Sequence, residues 1–277
     1  MTKMEDEGWK QKLSAFRKSR ASIIRGGELL RFGSRFVKVS DIAHQFYCEK
    51  KVELGRIYGL KETRLMKKGA EAHEKLLEGS VPATEEIIWE HISFGKPVTV
   101  REMMLVASYK GVSLVGVADA VCFRKGLPTL LLEHKFTSKQ VLYTSYQLQA
   151  WSYCFILGLM GFDTSRLKYA VILAPPEAKG DEFLERIDEH LVRNSRSSEL
   201  TFPLRTGQAK VFMKSFDQRS FIMQLDWALE FWKQSREAVP TRNPQKCKVC
   251  EFREMCEFSL ARTAGSPPSS VSGRRKI

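Results

Sequence analysis

No run in this sequence is long enough to cross a bilayer as a helix. The longest nearly apolar stretch, Tyr153 to Phe162, falls well short of the roughly 20 residues a spanning helix needs. The segment Met1 to Arg20 mixes charges and has no apolar h-region, so no secretory leader is read there. The expected location is the cytoplasm. No Walker A pattern occurs, which excludes a P-loop motor within this chain, and no internal repeat is visible. Acidic residues are also short: 32 Asp and Glu face 45 Lys and Arg, for a formal net charge of +13. That excess calls for an anionic partner. Nucleic acid is the first candidate, because Lys and Arg neutralise phosphates and release counterions; a merely basic surface is the plainer alternative. In the cytoplasm, cysteines point to metal or redox chemistry rather than to disulfides.

The 277 residues are enough for one large domain or a domain with appendages, and 43% are hydrophobic, so a core can form. Residues 1–39 read as a basic, partly helical extension. A first helix is expected from Ser40 to about Tyr58, with Ser40 or Asp41 as N-cap, and a second from about Arg64 to Glu78. Strand-like runs follow at Glu85–Ser93, Val98–Ala107, Ser113–Phe123 and Thr129–Phe136, separated by turns such as Lys125-Gly126-Leu127-Pro128. Val141 to Leu159 reads as a buried helix and Leu167 to Ala174 as a buried strand. Asp181 to Arg193 and Gln208 to Glu237 read as helices. Residues 40–239 therefore form the expected core, of mixed α/β class. Residues 240–262 make a short cysteine-bearing segment, and 263–277 a disordered basic tail.

The most informative stretch is Gly116-Val-Ala-Asp119, followed on the next strand by Leu132-Glu133-His134-Lys135. Glu133 and Lys135 are two apart, so they share a face of the strand. Leu130 to Leu132 pull that strand into the core, where charges are costly unless paired or metal-bound. Paired carboxylates suit a hard divalent cation such as Mg²⁺, which would polarise a phosphoryl oxygen and activate a water. Lys135 would orient that water or stabilise developing charge. A strand-end ion pair between Glu133 and Lys135 is the structural alternative. Upstream, Gly69 precedes His73 by four residues on the second expected helix, and a neutral imidazole there could be a further ligand.

The cysteines divide in two. Cys122 and Cys154 fall in apolar segments and read as core thiols. Cys247-x₂-Cys250-x₅-Cys256 needs a fourth ligand, and Cys48 is available far upstream. On chemistry alone, zinc and an iron–sulfur cluster are both open.

The order G-x-x-x-H, G-x-x-D, E-x-K and then a glutamine-bearing helix resembles the RecB-like nuclease family of the PD-(D/E)XK superfamily. The resemblance implies a restriction-endonuclease-like core, a mixed sheet flanked by helices. It implies a Mg²⁺ or Mn²⁺ site made by His73, Asp119, Glu133 and the backbone carbonyl of His134, with Lys135 assisting the water. The family's Q-x-x-x-Y motif has two registers here. Gln147 with Trp151 fits the usual Gln-Leu context and is preferred; Gln149 with Tyr153 is the literal match. The cysteine pattern is similar to that of iron–sulfur members: the CRISPR-associated Cas-four family, the AddB nuclease domain and the nuclease domain of the Dna-two helicase. That implies a [4Fe–4S] cluster on Cys48, Cys247, Cys250 and Cys256, stapling the first helix to the C-terminal segment across a loop of about 200 residues. A stand-alone chain of this size looks like the Cas-four family. The expected activity is then a metal-dependent exonuclease on single-stranded DNA or DNA ends, trimming captured DNA in CRISPR adaptation beside the integrase complex. A repair or viral nuclease of the same architecture, and a non-catalytic DNA-binding subunit, are the rival readings.

Overall fold

The computed structural model describes residues 3–26, 28–59, 85–178, 182–194, 196 and 198–261. The expected helix Arg64–Glu78, with Gly69 and His73, and the tail 263–277 lie outside the described residues. The chain is mixed α/β: seven strands form one mostly antiparallel sheet flanked by helices. In chain order the elements are α1 (Lys3–Gly26), β1 (Val37–Lys38), α2 (Val39–Gln45), α3 (Glu49–Tyr58), α4 (Glu85–Ser93), β2 (Val98–Tyr109), β3 (Val112–Arg124), β4 (Leu127–Phe136), α5 (Thr144–Leu159), β5 (Lys168–Ala174), α6 (Glu182–Arg193), β6 (Ser198–Leu204), β7 (Gly207–Ser215), α7 (Gln218–Trp232) and α8 (Pro244–Lys248). No helix among the described residues is long and apolar enough to cross a membrane.

The strand path is β1-β3-β4-β5-β7-β6, with β2 along the other edge of β3. Among the described strands, only β1 with β3 and β4 with β5 run parallel. The larger core lies on the face covered by α2, α5 and α7. The smaller core lies under α6, whose Leu184, Ile187 and Leu191 are buried there. Spacing i, i+3, i+7 makes one apolar stripe on that helix. At the turn after β3, Lys125 and Gly126 both take left-handed backbone (φ 52° and 76°), as a two-residue hairpin requires.

Four expectations are corrected. The first helix is broken into α2 and α3, because Tyr47 and Cys48 both donate their N–H to the His44 carbonyl and Cys48 turns extended (φ −172°, ψ 116°). Its N-cap is Lys38, not Ser40 or Asp41. Glu85–Ser93 is a helix, not a strand. Its buried residues Trp89 and Ile92 are three apart, and Arg17 and Arg20 of α1 pair with Glu85 at its N-terminus. Finally, the expected helix Gln208–Glu237 is strand β7 followed by α7. Ala209, Val211 and Met213 alternate into the small core, and the Asp217 carboxylate accepts from the Ser220 N–H to start α7. Strand β6, absent from the sequence reading, completes that edge.

Gly116 is where β3 passes closest to its covering helices. A Cβ there would stand 2.6 Å from the Tyr153 ring and 2.8 Å from a Val39 methyl carbon. Gly116→Ala should therefore destabilise the fold by about 1–3 kcal/mol through overpacking. That is a melting-temperature drop of about 2–4 °C for each kcal/mol. An unchanged melting temperature would mean that the Tyr153 ring has room to move.

Candidate functional site

β2 covers one edge of β3 for its whole length. The other edge is shared: β1 pairs at Leu114 and Val115, and β4 pairs from Ala120 onward. Residues 116–119 of that edge are bridged by no described strand, and β3 and β4 part there like a fork. The pairing of β2 with β3 also skips one position, Glu102 opposite Asp119. Glu102 takes left-handed backbone, φ 48°, and the inward-facing alternation slips there on both strands: Val100 then Met103, Ala118 then Val121 face the larger core. Asp119 thus stands where the alternation slips on both strands while the register of the pair is kept.

Asp119 stands at the fork. Its Oδ2 accepts the His134 backbone N–H at 2.7 Å. N–H and C=O of one residue leave an extended strand on the same side, so the His134 carbonyl also faces the fork. Glu133 is 1% exposed. Its Oε1 lies 2.6 Å from Lys135 Nζ, while its Oε2 is buried with no hydrogen-bond partner. Burial, and then the charge of Asp119, push Glu133 up to about 7 despite the neighbouring Lys135. For Lys135, burial works toward a lower pKa, but Glu133 and Asp119 outweigh it and the net shift is upward.

Helix α5 completes this face. Lys135 Nζ donates to Gln149 Oε1 at 2.9 Å, and Gln149 Nε2 donates to the Tyr153 hydroxyl at 3.2 Å. Gln147 does not reach the lysine; it sits by the Tyr169 phenol. Of the two registers read from the sequence, the structure brings Gln149 and Tyr153, rather than Gln147 and Trp151, to Lys135. The two glutamines are about 200° apart around the helix, and burial of Leu148 and Trp151 in the core sets which one meets β4.

The opposite face of β4 holds a set of charges not foreseen from sequence. His134 turns its ring away from Lys135 and places Nε2 3.0 Å from Asp188 Oδ1 on α6. Asp188 Oδ2 is 3.2 Å from Arg101 on β2. The ring Nδ1 is 3.8 Å from Asp119 Oδ2. Burial lowers the His134 pKa, but Asp188 and Asp119 more than offset it, so the net shift is upward. A signal was present in the sequence: Asp188 interrupts the apolar stripe of Leu184, Ile187 and Leu191.

A cleft of about 610 Å³ opens between α2, α3, the start of α5 and the C-terminal segment. Tyr146 lines it, its ring 5.6 Å from Lys135 Nζ. Tyr143 and Tyr47 add aromatic surface, and Lys51, Lys139 and Lys246 add positive charge. Beyond it, Cys48, Cys247, Cys250 and Cys256 line one small cavity together with Tyr47, Lys51 and Lys246. The Thr241 N–H donates to Cys48 Sγ at 3.4 Å. Fully buried Glu49, next to Cys48, accepts from Arg236 and from the Val239 N–H, which ties α3 to the C-terminal segment. Cys122 and Cys154 are buried elsewhere, in the core. Among the described residues, no three His, Cys, Asp or Glu side chains are drawn together as ligands of a single metal ion.

No family model matches the chain, and no curated protein is similar to it. A solved structure titled "Crystal structure of SSO0001" aligns with a TM-score of 0.38 and 13% identity, over 91% of this chain and 95% of that one.

Proposed function

We propose that this chain is a divalent-metal-dependent deoxyribonuclease with a PD-(D/E)XK core, an exonuclease acting on single-stranded DNA or DNA ends. The observation that carries this reading is the buried, unpartnered carboxylate oxygen that Glu133 keeps beside Lys135, with Asp119 close enough at the β3–β4 fork for its charge to act on Glu133. A structural ion pair would use Glu133 and Lys135 alone. A second carboxylate that raises the Glu133 pKa makes sense where a cation offsets both charges.

The donor set fits Mg²⁺ or Mn²⁺: two carboxylates and, facing the same fork, a backbone carbonyl. Asp119, Glu133 and the His134 carbonyl would hold the ion, with His73 as a further ligand on the strength of the motif resemblance. Bound there, the ion supplies Lewis acidity toward a phosphoryl oxygen and lowers the pKa of water. The protein's own part is geometric. Gln149 and Glu133 hold the Lys135 ammonium between them, where it orients a water and stabilises the negative charge that develops on phosphorus oxygens. Tyr153 fixes Gln149. The four cysteines around one cavity are a thiolate-only donor set, which suits a [4Fe–4S] cluster. The CRISPR adaptation role and the integrase partner rest on the family resemblance.

The cleft supports a single-stranded substrate, since aromatic rings stack bases of any sequence while lysines follow the phosphates. Wild-type protein should cut end-labelled single-stranded DNA with Mg²⁺ or Mn²⁺, and EDTA should stop it. Binding in EDTA should weaken with salt. If Lys51, Lys139 and Lys246 each neutralise one phosphate, the slope of log K on log salt is about −2. Lys139→Glu should flatten it by about 0.7. Cutting that survives EDTA would sink the metal reading. Salt-dependent binding without any cutting would favour the non-catalytic subunit.

A further inference from the structure

We propose that Asp188, backed by Arg101, is a positioning residue for the candidate metal site, acting across the sheet on Asp119 by way of His134; this rests on the nuclease reading above. The contacts form one line through the sheet. Arg101 is 3.2 Å from Asp188, Asp188 is 3.0 Å from His134 Nε2, the His134 N–H donates to Asp119 at 2.7 Å, and the ring Nδ1, which makes no hydrogen bond, faces Asp119 at 3.8 Å. Asp119 of β3 stands at the irregular Glu102–Asp119 position, and Arg101 of β2 is one residue from it.

Packing alone does not call for this arrangement. Asp188 is 4% exposed and stands on the apolar stripe of α6, where an apolar residue would pack as well and avoid desolvating a charge. What Asp188 adds is direction. An imidazole whose Nε2 is anchored cannot rotate, so its other edge stays facing Asp119. Without the anchor, the buried Nε2 loses its partner. The ring is then free to close the 3.8 Å gap to the Asp119 carboxylate and draw that group off the fork. Outer partners that orient ligands in this way typically account for 10–100-fold in metal affinity.

The test is Mn²⁺ binding followed by electron paramagnetic resonance, in the full chain, with thermal melting measured alongside. Asp188→Asn keeps the size of the side chain and an acceptor for His134 but loses Arg101; its Mn²⁺ affinity should fall about tenfold. Asp188→Ala should approach about 100-fold. Cleavage should fall in parallel at fixed Mn²⁺ while KM for DNA stays unchanged, because Asp188 faces away from the cleft. If Asp188→Ala does not fold, Asp188→Asn decides. Wild-type Mn²⁺ affinity in a folded Asp188→Asn protein, with or without a lower melting temperature, would overturn the inference and leave the nuclease reading standing. A wild-type protein that binds no Mn²⁺ would overturn both.

Discussion

Asp119→Asn should lose at least about 10³-fold in cleavage of end-labelled single-stranded DNA, the upper scale for removing one electrostatic group from a reaction centre, while melting no lower than wild type. The two halves of this expectation have one cause. Buried Glu133 lies close enough to Asp119 for that like charge to disfavour its ionisation, after burial itself. A fold alone gains nothing from that arrangement; a bound cation does. Asparagine keeps an oxygen to accept the His134 N–H, so the fork holds its shape, while the repulsion and the capacity to hold a cation both go. Stability and activity should then move in opposite directions, as at sites where strain serves function. DNA binding in EDTA should be unchanged, because the lysines of the cleft carry it. Glu133→Gln should be equally inactive, but its melting temperature is a poorer guide, since it also removes the negative charge paired with Lys135. Wild-type cutting by Asp119→Asn would mean that the carboxylates are structural.

How far the sequence was legible follows from what each stretch could hide. Strands β2 to β4 were readable because long runs are broken by Lys110-Gly111 and Lys125-Gly126, dipeptides that take left-handed backbone readily at the glycine. The pairing of Glu133 with Lys135 followed from the period of two in a strand. Strands β6 and β7 were not readable in the same way. Gln208 to Glu237 contains apolar residues at both spacings, and only the antiparallel pairing of β7 with β5 settles that its first part is extended. Glu85–Ser93 failed in the opposite sense: β-branched isoleucines beside a tryptophan read as strand, and ion pairs to α1 decide for helix. The choice between Gln147 and Gln149 turned on the rotation of α5, which is set by tertiary packing. Asp188 is a different case. A carboxylate on an apolar helical stripe could be seen in the sequence, but its partner His134 stood inside E-x-K, where attention goes to the residues on either side.

Cys48→Ser should lose nearly all iron and acid-labile sulfide, with the brown colour of the anaerobically purified protein, as fully as Cys250→Ser does. The four thiols reach one cavity from places about 200 residues apart in sequence, and a cubane cluster needs every one of its four thiolates. Cys122→Ser and Cys154→Ser are the controls: both thiols are buried in the core, and the cluster should survive their removal even where the melting temperature falls. The damage from Cys48→Ser should be local. Glu49 holds Arg236 and Val239 whether or not a cluster is present, and α7 packs on the larger core independently of the cysteines. Limited proteolysis should therefore cut within residues 240–261 and spare the sheet. Cleavage of DNA should fall as well, although no cysteine reaches the fork, because Tyr47, Lys51 and Lys246 line both the cysteine cavity and the cleft. Loosening one side of that wall removes cations from the path to Lys135, so the loss should appear mainly in KM. Stoichiometric zinc without iron in the wild-type protein would replace the cluster by a tetrahedral site; a full complement of iron in Cys48→Ser would move the fourth ligand elsewhere.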